Sequence, residues 1–202
     1  MENLESTSNQ PRAFTREYLS ELSTLSLEVQ TDLSPVLNAV NERLGINMEP
    51  REGGQHITII SPTESKIFVD LTDEQVDELR DISFSLKNGE GVEVTGVGYI
   101  DSASHQNLRE VDQQKRVCFV ALSIPALQNF RTSLGLPEKD FHVTLGFKNG
   151  DIHSEIVGQD EKGKNIMKPI NKTANPDFSD IELPELQFSQ LSGQERQKKR
   201  GQ

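Results

Sequence analysis

Two short segments of this 202-residue chain carry, at the same spacing, residue types suited to proton transfer: His56-Ile57-Thr58-Ile59 and His142-Val143-Thr144-Leu145. Each lies in a run that reads as a strand, "QHITII" after the turn-forming Gly53-Gly54 and "DFHVTLGF" after Pro137. Side chains alternate along a strand, so His56 and Thr58 share one face while Ile57 and Ile59 share the other. In the second copy His142 and Thr144 share a face, with Val143, Leu145 and Phe147 expected to pack behind. Two imidazoles flanking one phosphorus can divide the proton work, one accepting from the attacking oxygen and the other donating to the leaving oxygen. Histidine suits both tasks because its unperturbed pKa is about 6.5. Threonine hydroxyls beside them can donate to the non-bridging oxygens as charge grows there. A single His-x-Thr would read as an ordinary exposed pair on a strand. Two copies, one in each half of the chain, make His56 and His142 the candidate catalytic pair and Thr58 and Thr144 the candidate phosphate-binding pair.

The elements that must position these strands are legible in outline. From Phe14 the chain reads as helical, with Leu33, Val36, Leu37, Val40 and Leu44 on one face and Gly45 ending the run. "LTDEQVDELRDISFSL" opens with Thr72 and Gln75 at capping-box spacing and sets Val76, Leu79, Ile82 and Leu86 on one side, so it is a helix covering a sheet. "GVEVTGVGYI" reads as a strand with a glycine-relieved bend and "RVCFVALSI" as a nearly continuous apolar strand. Residues 125–134 read as a helix stopped by Gly135 and Pro137. The order strand, helix, strand, strand, helix, strand predicts an α+β domain of two comparable halves. Residues 1–13 are polar and expected to be disordered, the domain proper to span 14–174, and 175–202 to form an arm and a basic tail. Within that arm, Ile181, Leu183, Leu186 and Phe188 are suited to docking as a terminal strand.

The paired His-x-Thr strands, separated by one helix-strand-strand-helix unit, resemble the 2H phosphoesterase superfamily, which shares the fold of bacterial RNA 2′,5′ ligases. "GQHITII" and "FHVTLGFKNGDIH" are most similar to the Swiss Army Knife branch associated with RNA repair. The likeness in layout extends over roughly residues 50–150. It implies a bilobal fold with two antiparallel sheets around a central cleft and helices outside. It also implies no metal or other cofactor, and cleavage of 2′,3′-cyclic phosphate ends or related nucleotide and RNA phosphodiesters. The competing reading is a non-catalytic nucleotide-binding sensor or sink using the same cleft, which would need the threonines but not two proton-transfer groups.

Composition bounds the partners. A formal charge of −11 repels polyanions, so nonspecific binding along DNA is not expected, and a nucleotide or RNA-end substrate requires a local patch of donors. No run approaches the ~18–20 apolar residues of a membrane span, and "MENLESTSNQ" lacks a secretory signal core, so a soluble, cytoplasmic monomer is expected. Cys118 is the only cysteine and is read as packing. Of the remaining candidates, His153 with Asp151 either lines the cleft or belongs to a polar loop after the second motif strand, and Tyr99, Phe141 and Phe147 either stack a base or, as aromatics beside strands usually do, pack in the core. Arg116 and Lys148 are possible sources of positive charge, and His105 is read as loop surface. A metal site built from His56, His142, His153 and Asp151 is the rival arrangement. It lacks compact ligand spacing and leaves the threonines unexplained.

Overall fold

The computed structural model describes residues 14–105 and 107–195, so the expected disorder of 1–13 and most of the basic tail lie outside the described residues. The amino-terminal stretch is not one helical segment. It divides into α1 (Arg16–Ser20), β1 (Leu22–Val29) and α2 (Ser34–Leu44). Leu25, Leu27 and Val29 do alternate inward along β1, but irregular register near Leu22 and Leu25 leaves leucines three apart, which mimics helical spacing. α2 behaves as expected: Val36, Leu37 and Val40 are buried, and Gly45 ends the helix at φ 62°, where a residue without Cβ carries no penalty.

From residue 55 to 148 the expected order holds, preceded by a two-residue strand that was not anticipated. The elements are β2 (Glu49–Pro50), β3 (Gln55–Ile60), α3 (Asp73–Lys87), β4 (Glu93–Asp101), β5 (Arg116–Ser123), α4 (Pro125–Ser133) and β6 (Phe141–Lys148). Both capping-box bonds of α3 form, Gln75 N–H to Thr72 Oγ1 at 3.2 Å and Thr72 N–H to Gln75 Oε1 at 2.9 Å. Its Val76, Leu79, Ile82 and Leu86 are buried. After β6 comes an unanticipated hairpin, β7 (Ser154–Gln159) and β8 (Asn165–Pro169), whose largely exposed residues carry no inward alternation for a sequence reading to detect. The carboxy-terminal segment does supply a strand, β9 (Phe188–Glu195), but it starts later than expected: Phe188 is its first residue, Leu186 is buried just before it, and Ile181 and Leu183 pack on the core outside any strand.

The fold is mixed α and β, built on antiparallel sheets. Beside the β7-β8 hairpin there are two larger sheets, one of order β3-β1-β9 and the other β2-β6-β5-β4. The two halves of the chain are therefore not the two sheets. The first sheet combines β1 and β3, from the first third of the chain, with β9 from its far end. β3 and β6, the two His-x-Thr strands, come close where the sheets meet, although they share no ladder. β5 reads as continuously apolar because both its faces are covered. Cys118, Val120 and Leu122 join the main core, whereas Val117, Phe119 and Ala121 join a smaller cluster with Ile100, Leu108, Ile152 and Ile170. Burial pushes the Cys118 thiol up to about 12, consistent with a packing role.

The glycines of "TGVGYID" do two different jobs. Gly96, at φ 140°, sits at the register shift against β5 and makes the bend. Gly98 makes room: a Cβ there would overlap the Phe119 ring and the Thr173 carbonyl oxygen. The segment carrying Thr173 and Ala174 thus lies directly on β4, held by Asn175 N–H to Val97 O at 2.8 Å. Gly98→Ala is expected to destabilise the protein by about 1–3 kcal/mol through overpacking, read from urea denaturation. An unchanged midpoint would show that this segment is free to lift off the strand.

Candidate active site

β3 alternates as the sequence requires. Ile57 and Ile59 are fully buried in the main core, while His56 and Thr58 are half-buried on the opposite face, in register with Glu28 and Ser26 of β1. The His56 ring meets Arg51, whose Nη2 lies 3.1 Å from Nε2. Arginine has only donors, so Nε2 accepts and the ring proton sits on Nδ1. Arg51 is held from the other side by its backbone, whose N–H donates to Leu145 O of β6 at 3.1 Å. It thereby joins the two His-x-Thr strands. Burial, and secondarily the Arg51 charge, lower the His56 pKa below the ordinary imidazole value.

On β6, His142 pairs in register with Ala121 and Thr144 with Phe119. Leu145 is the extra residue where the register shifts. Val143 and Leu145 pack in the main core as expected, but the shift turns Phe147 to the other face, against Phe119 and Val117. The Phe119 ring meets His142 edge-on, centroids 5.7 Å apart. His142 Nδ1 lies 2.8 Å from Asp140 O, which fixes the proton on Nδ1 and leaves the Nε2 lone pair as acceptor. Burial, and then the nearby Lys172 ammonium, lower its pKa well below the ordinary value.

Lys172 belongs to the segment that Gly98 seats on the sheet. It is 4% exposed, its ammonium lies 2.9 Å from Asp151 Oδ1 and 5.7 Å from the Phe119 ring centroid, and its backbone N–H donates to Asp140 Oδ2 at 3.0 Å. Burial lowers the lysine's pKa, opposed by Asp151. For Asp151, burial works upward, yet Lys172 and His153 keep it below the carboxylate range. Asp151 also accepts from Ile152 N–H at 2.7 Å and from Thr144 Oγ1 at 3.5 Å, so Thr144 is covered rather than open, by a contact at the long limit of hydrogen bonding. His153 stands at the rim, its Nδ1 3.8 Å from Asp151 Oδ2. Electrostatic interactions link His142, Asp151, His153 and Lys172 to one another, and Arg51 joins this group to His56, so cations are concentrated here in a chain of charge −11.

A model of the Swiss Army Knife 2H phosphoesterase domain matches residues 24–153, from within β1 to His153, well over half of the chain. The chain belongs to this family. As a 2H phosphoesterase it carries a domain whose general chemistry is phosphodiester hydrolysis. No curated protein and no solved structure matches it. The matched span reaches further toward the amino terminus than the layout first legible at 50–150, because β1 is the central strand of the sheet that holds His56. Lys172 and β9 fall beyond it.

Several sequence candidates are not brought to this 2H cluster. Tyr99 lies on the other face of β4 from Gly98, donates to Asp101 Oδ2 at 3.2 Å and edges Phe178. Burial, with Asp101 beside it, pushes its phenol up to about 12. Phe141 is core. Arg116 is paired with Asp101 at 2.9 Å, Lys148 is exposed at the end of β6, and His105 follows the short turn Ser102–Ser104. The rival metal arrangement is disfavoured by its surroundings, since Arg51 caps His56 and Lys172 already neutralises Asp151. Among the described residues, the hollow lined by Thr15, Arg16, Asp73, Asp77 and Arg80 is crossed by Arg16–Asp73 and Arg80–Asp77 ion pairs and contains none of these groups. Arg51 and Lys172 were missed because neither belongs to a motif. The only advance signal was the need for a local patch of cations against the overall charge.

Proposed function

We propose that this 2H phosphoesterase is a metal-independent phosphodiesterase acting on 2′,3′-cyclic phosphate ends or related nucleotide and RNA phosphodiesters, in a cleft between its two sheets. The observation that carries this reading is the meeting of β3 and β6. Two strands from different sheets approach one another, each bearing a histidine and a threonine on the face away from the main core. In the reaction a water oxygen adds to phosphorus while one imidazole takes its proton. The bond from phosphorus to the leaving oxygen breaks while the other imidazole donates a proton to that oxygen. His142 already presents an Nε2 lone pair with its tautomer set by Asp140 O. Thr58 supplies one hydroxyl to the non-bridging oxygens, and Thr144 the other, exchanging its long contact with Asp151 for a phosphate oxygen. Both imidazoles favour the neutral form in the free protein. A bound phosphate provides the negative charge that raises the pKa of one of them.

The decisive experiment is incubation of purified, chelator-treated protein with nucleoside 2′,3′-cyclic monophosphates, beside a His56→Ala/His142→Ala double variant, with chromatographic resolution of the products. The expected result is a 2′- or 3′-monophosphate from the wild type alone. Tight nucleotide binding without turnover would favour the sensor or sink instead.

A further inference from the structure

We propose that Arg51 is a phosphate-binding residue that also controls when His56 can carry a proton: its guanidinium occupies the His56 Nε2 lone pair until a substrate phosphate draws it away. This rests on the two-histidine reading above.

Three observations carry it. The first is the 3.1 Å approach of Arg51 Nη2 to His56 Nε2, which only a donor and an unprotonated ring nitrogen can make favourable. While that bond stands, Nε2 can neither donate nor accept a proton from substrate. The second is what Arg51 lacks. It is half-buried, yet among the described residues no carboxylate pairs with it, and the bond to His56 is its only side-chain hydrogen bond. Lys172, the other lysine or arginine of this cluster, already has an acidic partner in Asp151. A guanidinium has five N–H groups in a planar fork that matches two phosphate oxygens, and most of this fork is unused. The third is placement. The Arg51 backbone is fastened to Leu145 between Thr144 and the end of β6, and the side chain crosses to β3. Its side chain therefore spans the two His-x-Thr strands, and its reorientation takes place between them.

Transfer of the guanidinium from imidazole to phosphate changes His56 twice in the same direction. The lone pair is released, and the adjacent positive charge becomes shared with an anion. Of the other charged or titratable groups, Glu28 lies across from His56 on β1, His153 and Lys172 feel the Arg51 charge, and Asp151 and His142 in turn adjoin Lys172. None of these makes a hydrogen bond to His56 among the described residues.

The test is an NMR titration of the imidazole nitrogens in the full chain, for wild type, Arg51→Gln and Arg51→Lys, with and without inorganic phosphate. In the wild type, phosphate is expected to raise the His56 pKa by about one unit or more, the scale of a nearby opposite charge. Arg51→Gln is expected to start from a higher His56 pKa, to shift less with phosphate, and to bind phosphate about tenfold more weakly or worse. Arg51→Lys should recover part of the affinity, since it restores the charge without the fork. Identical His56 titrations in wild type and Arg51→Gln would overturn the proposal. So would the absence of a phosphate-induced rise in the wild type, a result that stands even if Arg51→Gln does not fold. Turnover plays no part in this measurement, so a failure here is distinguishable from a failure of the catalytic reading, which the alanine variants of the two histidines decide.

Discussion

Replacement of either His56 or His142 by alanine is expected to leave the fold intact and to lower kcat/KM on a 2′,3′-cyclic nucleotide by at least about 10²-fold, the lower range for a general acid or base. The fold should survive because both rings are only partly buried and stand on the face away from the main core, whereas the side chains that hold their strands, Ile57, Ile59, Val143 and Leu145, are untouched. Circular dichroism and a denaturation midpoint check that half of the expectation. The pH dependence checks the other half. Folded-state pKa values of both histidines are lowered, so the neutral, proton-accepting forms persist to more acid pH than for free imidazole. The acid limb of kcat/KM, which reports the free enzyme, should therefore fall below about pH 6.5. Full activity in either alanine variant would refute a two-histidine mechanism. An acid limb above the ordinary imidazole value would show instead that the free site holds a protonated ring, contrary to its burial and its flanking cations.

The second large effect concerns what holds the two histidine strands in place against one another. Arg131 of α4 is 1% exposed, and its guanidinium is nearly enclosed by acceptors. Nη1 donates to Ile59 O at 2.7 Å and Nη2 to Pro137 O at 2.8 Å, while Glu64 accepts from Nη2 at 2.7 Å and Nη1 at 3.2 Å. Ile59 lies in β3 just beyond Thr58, and Pro137 in the segment leading into β6. One buried charge thus fastens the strand of His56 to the approach of the strand of His142. Glu64 supplies the countercharge and also accepts from the Ser61 N–H at 2.9 Å and hydroxyl at 2.8 Å. Burial works against its ionisation, but Arg131, Ser61 and Lys139 hold its pKa down at about 2, from an ordinary 4.5. At 1.36 kcal/mol per unit this is on the order of 3 kcal/mol of stability, in line with the cost of about 3–5 kcal/mol for stranding one member of a buried pair. The folded-state value is depressed, so the contribution is complete above about pH 4.5 and is lost as the pH falls through 4.5 toward 2. Glu64→Gln should therefore be less stable than wild type by about 3 kcal/mol at pH 7, with the gap closing as the pH falls below about 4. A gap of equal size at pH 7 and pH 2.5 would mean that the carboxylate charge contributes nothing and only its shape matters.

The parts of this protein legible in its residue order are those governed by interactions a few positions apart. The alternation of His56-Ile57-Thr58-Ile59 sets which side chains face inward, because strand geometry reverses direction at each residue. Thr72 and Gln75 mark the start of α3 because three residues is the reach of a capping box, and Gly45 marks the end of α2 because a left-handed terminus favours a residue without Cβ. Even the site's need for local cations followed from charge alone. β1 escaped that reading because its irregular pairing spaced the leucines like a helix. Phe147 changed faces because the extra residue at Leu145 shows only in how β6 pairs with β5, not in the alternation of its own run.

The cations themselves were settled only in three dimensions. Arg51 reaches His56 because its backbone is pinned to Leu145, ninety-four positions further along the chain. Lys172 enters the site because Gly98 lets a distant segment lie on β4, and β1 becomes the central strand of its sheet only when β9 arrives from the far end of the chain. Such contacts depend on sheet register and on which segments share a surface, and those are decided by the packing of the whole core. Residue order therefore specified the two histidines and two threonines, whose pattern is local, whereas tertiary structure decided which charges surround them and hence which protons they hold.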